Sequence, residues 1–291
     1  METRWLYVTS ENFDALRDAS CDTCVIPMGC VEKHGLHLPL GVDVFEAEQL
    51  AYEASKLEPV CIFPTFNFGD VPDNASHRPP GTIALPLKTQ MLLLEQLCDQ
   101  IARNGFKKII IYNSHGGNTP WLTTYLREID SQPHDYVLMF VNMMSRFIPS
   151  MAENIRTQGP SAYPEMTEED MQYILKCDEE HIISGHAGFG ESAFTIGIVP
   201  ETVHLDRLGI VSGESLDLTG MYEKAGITIK DGGWSINYPH AMHGNDPVGL
   251  NERIGKAAVR HEAERVAKAF KLIKEDTNLI KWHNERWQLN L

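Results

Sequence analysis

Lys107-Lys108-Ile109-Ile110-Ile111-Tyr112, followed at once by Asn113-Ser114-His115-Gly116-Gly117-Asn118, is the stretch that decides the fold. A short β-branched apolar run without polar alternation reads as a central strand buried on both faces, the pattern of a parallel sheet covered by helices. Its abrupt end in small and polar residues reads as a loop leaving the strand's carboxyl end, where open parallel sheets gather their functional groups. Working outward, Leu94, Leu97 and Ile101 line one face of a helix over 89–104, with Gly105 where a C-terminal cap belongs. The spacing predicts further helices over 45–57 and 121–129, and strands over 24–28, 60–64 and 136–143. Downstream, Ala193-Phe194-Thr195-Ile196-Gly197-Ile198-Val199 reads as another strand. A long amphipathic helix is expected over 254–275, with Val259, Ala263, Val266, Phe270 and Ile273 on its apolar stripe. Alternating strands and helices give an α/β fold with a mainly parallel sheet. No repeat, low-complexity segment or linker divides residues 1–291, so one domain is expected. The stretch 145–184, with Gly159-Pro160 and a short acidic helix near 168–177, reads as a lid or insertion.

Composition narrows the function classes. With 43% hydrophobic and 22% charged residues the chain can build an ordinary core, and a formal net charge of −15 argues against a nucleic-acid groove or an anionic membrane surface as partner. A small-molecule substrate remains open. No apolar run approaches the roughly 20 residues of a membrane span. The start Met1-Glu2-Thr3-Arg4-Trp5 lacks the basic-then-apolar pattern of a secretory signal, so a cytoplasmic location is expected. Six cysteines, including a lone Cys21-x-x-Cys24, make no disulfide framework and are read as packing residues.

A second loop-like stretch, Glu32-Lys33-His34-Gly35-Leu36-His37-Leu38-Pro39-Leu40-Gly41-Val42-Asp43, follows the strand over 24–28. Two imidazoles and two carboxylates in twelve residues suit Zn, Mn or Fe. A third, Gly185-His186-Ala187-Gly188 with Glu191 beyond it, lies beside the strand expected over 193–199. Any one of these also reads as a polar surface turn. Three at the ends of parallel strands are harder to dismiss, and together they place Glu32, His34, His37, Asp43, His115, His186 and Glu191 at one crevice.

Glu-x-His-Gly-x-His-Leu-Pro-x-x-x-Asp, Asn-x-His-Gly-Gly-Asn, Pro-Gly-Thr-Ile at 80–83, His-Ala-Gly-x-x-Glu at 186–191 and a late Asn-Asp-Pro occur in that order over about residues 20–275. This series resembles the creatininase (creatinine amidohydrolase) family, as a His-Gly-Gly-Asn member rather than a creatininase proper. The resemblance implies a three-layer α/β/α fold, two divalent metal ions (Zn, Mn or Fe) and a homo-oligomer, often a hexamer. It also implies hydrolysis of a small molecule's amide, lactam or formamide C–N bond by a metal-bridged hydroxide. Carried over by position, Glu32 serves one metal, His34 the other, Asp43 bridges them, and His115 and Glu191 complete the ligands. His186 and Glu191 are the candidates for catalytic proton transfer, and His37, His77, Gly116 and Asn118 for contact with substrate. The remaining histidines, His243 and His261 among them, read as surface or packing residues.

The chain also departs from creatininases proper, which carry a glutamate where Gly117 stands and tryptophans ahead of the His-Ala-Gly motif; many relatives have glutamate at the position of Phe189. These differences argue against creatinine itself as substrate. They leave room for an isomerase or epimerase, a hydrolase of a sugar or cyclitol ring, or a metal-bound scaffold without turnover.

Overall fold

β1 (Thr23–Met28), β2 (Cys61–Ile62), β3 (Lys108–Asn113) and β4 (Val137–Val141) pair in parallel in the spatial order β2-β1-β3-β4. The computed structural model describes residues 1–71, 79–141, 147–229 and 233–289, and His77 lies outside them. Because successive strand side chains point to opposite faces, β1 and β3 feed two cores. Cys24, Ile26, Ile109 and Ile111 face one core; Val25, Ile110 and Tyr112 face the other. The first is closed by α1 (Phe13–Ala19), α3 (Leu87–Arg103) and α4 (Asn118–Ile129). The second is closed by α2 (Val42–Leu57), α5 (Phe147–Gln158), α6 (Glu168–Glu179), α7 (Phe189–Ile198) and α10 (Glu252–Glu275). Helices on both faces of a parallel sheet make the three-layer α/β/α architecture. Short helices α8 (Gly220–Lys224) and α9 (Trp234–Asn237) precede α10, and α11 (Asn278–Trp287) follows it.

Two results differ from the sequence-based expectation. Residues 193–199 are not a strand; they fall largely within α7, whose residues from Phe189 to Ile196 are all buried. A helix enclosed on every side shows the same unbroken apolar run as a buried strand, and periodicity cannot separate the two. Within the stretch read as a lid or insertion lie α5 and α6, whose Phe147, Met151, Met171 and Ile174 belong to the second core.

The register of β1 on β3 sets up everything downstream. Thr23 lies opposite Lys108 and Met28 opposite Asn113, so both strands end level and their loops leave side by side. Ser114 N–H donates to Met28 O at 2.9 Å, which pins the two exits together. At the opposite end of β3 the buried Lys108 ammonium donates to the carbonyls of Ile273 and Lys274, both at 2.8 Å, satisfying the last turn of α10 and its dipole.

α10 in turn seats α7. The two helices meet at paired glycines: a Cβ on Gly255 would fall 2.6 Å from Gly197 N and 2.7 Å from Ala193 O, and one on Gly197 would fall 2.4 Å from Gly255 O. Backbone lies against backbone there, so neither position has room for a methyl group. Gly255→Ala is expected to destabilise the protein by about 1–3 kcal/mol through overpacking, read as a lower urea midpoint.

His261 of α10 ties that helix to α5. Its Nδ1 lies 2.8 Å from the Tyr163 hydroxyl and its Nε2 3.0 Å from Ser150 Oγ, and burial, helped by the nearby Arg265, Lys268 and Arg260, pushes its pKa down to about 4. The unfolded chain therefore binds a proton here before the folded one does. This contribution is complete above about pH 6.5 and is lost as the pH falls through about 4. Against His261→Gln, the wild type should lose up to about 3 kcal/mol more stability across that window, measured by denaturant titration at each pH.

Candidate metal centre

Cys30, Glu32 and His34 follow β1, and Asp43 stands in the first turn of α2; His115 follows β3, and Glu191 stands in the first turn of α7. Carboxylates are well placed at helix N-termini, where free N–H groups and the helix dipole favour negative charge. The level strand ends and the packing of α2 against α7 bring these residues together, and each of the six is at most 9% exposed.

Each histidine at the centre is oriented by a backbone carbonyl. A carbonyl only accepts, so the ring nitrogen beside it donates and the other nitrogen carries the lone pair. His115 donates from Nε2 to Asp70 O at 2.8 Å, which leaves Nδ1 facing Glu32 Oε1 at 3.1 Å and Asp43 Oδ2 at 3.0 Å. His34 donates from Nδ1 to Glu32 O at 3.2 Å and turns Nε2 towards Asp43 Oδ1 at 3.3 Å and Glu191 Oε2 at 3.5 Å. His186 donates from Nε2 to Lys33 O at 2.8 Å, stacks on His34 with ring centroids 4.2 Å apart, and aims Nδ1 at Glu32 Oε1 from 3.7 Å. Asp43 stands in the middle, one oxygen towards each of His34 and His115.

Imidazole lone pairs facing carboxylate oxygens at about 3 Å repel unless a cation lies between them. Within the polypeptide only protons can take that place, and the titration behaviour follows. Burial depresses His34, but Asp43 and Glu191 outweigh it and carry the ring up to about 9. His115 is likewise carried well above its ordinary value against burial, by Cys30, Glu32 and Asp43. Burial raises Glu32, yet His115 and His186 bring it down to about 2, and Asp43 is lowered by His34 and His115 in the same way. At Glu191 burial wins and the carboxyl is raised.

The donor set fits divalent cations. Among the described residues, Glu32 Oε1, His34 Nε2 and Asp43 Oδ1 are buried without hydrogen-bond partners. Two groups of donor atoms, Cys30–Glu32–Asp43–His115 and His34–Asp43–Glu191, are each compact enough for one ion and share Asp43. A third combines Glu32, His34 and His186.

The other expected site residues are placed differently. His37 is buried behind the centre with Nε2 2.9 Å from Ser192 Oγ; burial and the neighbouring His34 push it down to about 4, so it is a neutral tie between the loop and α7. Asn118 is fully buried. Its carbonyl oxygen accepts from Asp70 N at 2.8 Å and Trp121 Nε1 at 3.0 Å, and its amide donates to Asn113 at 2.9 Å, so it braces the His115 loop. Gly116 is exposed with open space about it. A Cβ on Gly117 would lie 2.3 Å from Asp70 O and 2.5 Å from His115 Nε2, so the carbonyl that orients His115 occupies the room a side chain would need. Phe189 faces the core and stacks on Phe147, with centroids 5.9 Å apart.

Three features escaped the sequence reading. Cys30, taken as packing, lines the centre; as the residue two before Glu32 in extended chain it falls on the same side, which was the available signal. Trp234 of α9 sets its indole edge-on to His186 at 5.0 Å, supplying an aromatic wall from a different part of the chain than expected. Residues 241–245 clamp both loops. Gly35 N–H donates to Ala241 O at 2.7 Å, His243 N–H to His186 O at 2.7 Å, and Ile183 N–H to Asn245 Oδ1 at 3.0 Å. The late Asn-Asp-Pro motif contributes this last bond.

The family model described as creatininase, creatinine amidohydrolase, matches residues 7–270. The creatinine amidohydrolase of Pseudomonas putida is 21% identical over 211 residues, covering 69% of this chain and 74% of that protein. The crystal structure of creatinine amidohydrolase (creatininase) superposes with a TM-score of 0.68 at 17% identity, covering 94% of this chain and 99% of that one. A structure described as creatininase Mn gives 0.66 at 16%, covering 95% and 100%. The structural likenesses show a shared fold, and the family model, matching most of the sequence, decides the classification: the chain belongs to the creatininase family of metal-dependent amidohydrolases.

Proposed function

We propose that this protein hydrolyses an amide-type C–N bond, as in a lactam, linear amide or formamide, of a small molecule, using two divalent ions held by Glu32, His34, Asp43, His115 and Glu191. The observation that carries this reading is the set of carbonyl-anchored histidines whose free nitrogens face partnerless buried carboxylate oxygens. Histidines oriented in this way by a second partner are the usual arrangement at metal sites. Cations there would lower the pKa of water and polarise the scissile carbonyl.

The polypeptide does the rest. A cavity of about 260 Å³ opens on Glu32 and is walled by Lys33, Trp234 and Tyr238, room for a compact molecule. Trp234 packs on His186 and confines the ring, so that Nδ1 stays on the side of Glu32. From that position the Nδ1 lone pair would take up the proton lost by the attacking water and hand it to the departing nitrogen, the step that makes an amine a competent leaving group. Asp43 and Glu191, fixed at helix N-termini, hold their carboxylates without rearrangement. A homo-oligomeric working form is supported by Ile210, Leu216, Leu218 and Met221, exposed by 65%, 54%, 59% and 67%.

Chelator-treated protein should lose activity on a panel of cyclic amides, ureides and formamides and regain it with Zn²⁺ or Mn²⁺; activity surviving complete metal removal would overturn the mechanism. His115→Ala should lower kcat/KM at least about a hundredfold and reduce bound metal together. His186→Gln should lower kcat about 10²–10⁴-fold with metal content unchanged, which distinguishes a proton carrier from a ligand.

A further inference from the structure

Cys30 Sγ lies 3.1 Å from Asp43 Oδ2, the same oxygen that faces His115 Nδ1 at 3.0 Å, and His115 Nδ1 is 3.1 Å from Glu32 Oε1. These four atoms, one from each residue, all lie within 4.8 Å of one another. Cys30 is wholly enclosed, and the partnerless Glu32 Oε1, on a side chain of a residue only 5% exposed, points into the same space. Four-coordinate zinc takes nitrogen and oxygen at about 2.0 Å and sulfur at about 2.3 Å, so neighbouring ligand atoms stand roughly 3.3–3.5 Å apart. The observed edges need to open by only a few tenths of an ångström. The neighbouring group, His34 Nε2 with Asp43 Oδ1 at 3.3 Å and Glu191 Oε2 at 3.5 Å, already has that spacing and contains no sulfur.

Resting on the metal-centre reading above, we propose that Cys30 is a thiolate ligand of the ion held by Glu32, Asp43 and His115. The centre is then chemically asymmetric. The sulfur-bearing half selects Zn²⁺ or Co²⁺, whereas the nitrogen and oxygen half also accepts Mn²⁺. When the ion binds, the S–H bond breaks, a sulfur–metal bond forms and the proton leaves to solvent.

The test loads the full-length protein with Co²⁺ and follows the near-ultraviolet thiolate-to-cobalt charge-transfer absorption. A strong band is expected in the wild type and in Cys21→Ser, which removes the exposed cysteine. The band should be absent from Cys30→Ser, with one of its two Co²⁺ ions bound at least tenfold more weakly. X-ray absorption at the zinc edge of the Zn²⁺-loaded, otherwise unmodified protein should show a sulfur neighbour at about 2.3 Å, a readout that stands even if Cys30→Ser fails to fold. Two bound ions with only nitrogen and oxygen neighbours would overturn the proposal, leaving Cys30 as a hydrogen-bond donor to Asp43 and the amidohydrolase reading intact. Failure to bind any ion in stoichiometric amount would overturn both.

Discussion

Three buried carboxylates and two imidazole lone pairs face one another at 3.0–3.5 Å, and the structure is arranged to hold that repulsive set in place. Among the described residues no lysine or arginine forms an ion pair with Glu32, Asp43 or Glu191. Burying carboxylates together is costly unless positive charge completes the set, and within the polypeptide that charge comes from protons drawn onto His34 and His115. Divalent ions would serve the same purpose in the proposed metal centre, and the contacts around it hold the donor side chains in place.

The braces come from all over the chain. Parallel pairing of β1 and β3 in level register sends two loops out together, one with Glu32 and His34, the other with His115. Asp43 and Glu191 begin helices whose N-termini favour anions. Gly197 and Gly255 let α10 press directly on α7, so this long helix fixes the position of Glu191 although none of its described residues belongs to the centre.

How much of this was legible beforehand depended on burial pattern. β3 and β1 could be read because a strand covered on both faces shows as an uninterrupted β-branched or apolar run, and α10 because one side of it is polar. The same logic failed at α7, where complete enclosure erased the helical period. Loop residues bearing ionisable groups stood out as chemistry, whereas supports acting through the main chain did not. The carbonyls of Asp70 and Lys33 orient two of the histidines whatever side chains those positions carry. Asn118 looked like a substrate contact because its amide is polar, but its partners are Asp70, Asn113 and Trp121. Cys30 looked like packing because sulfur is apolar by composition, and only its neighbours reveal it.

The clamp at 241–245 bears on how the molecule is made. His186 is oriented by a carbonyl 153 positions earlier, and its own carbonyl is held by the amide of His243. A nascent chain emerging from the ribosome therefore carries the first donors, 30–43, long before their partners exist. Until the segment to His243 has been added, the early loop lacks the partners that hold the His186 loop against it. A chain cut before residue 241 would lose this clamp, and His186 its orientation, although every other donor of the centre would still be present.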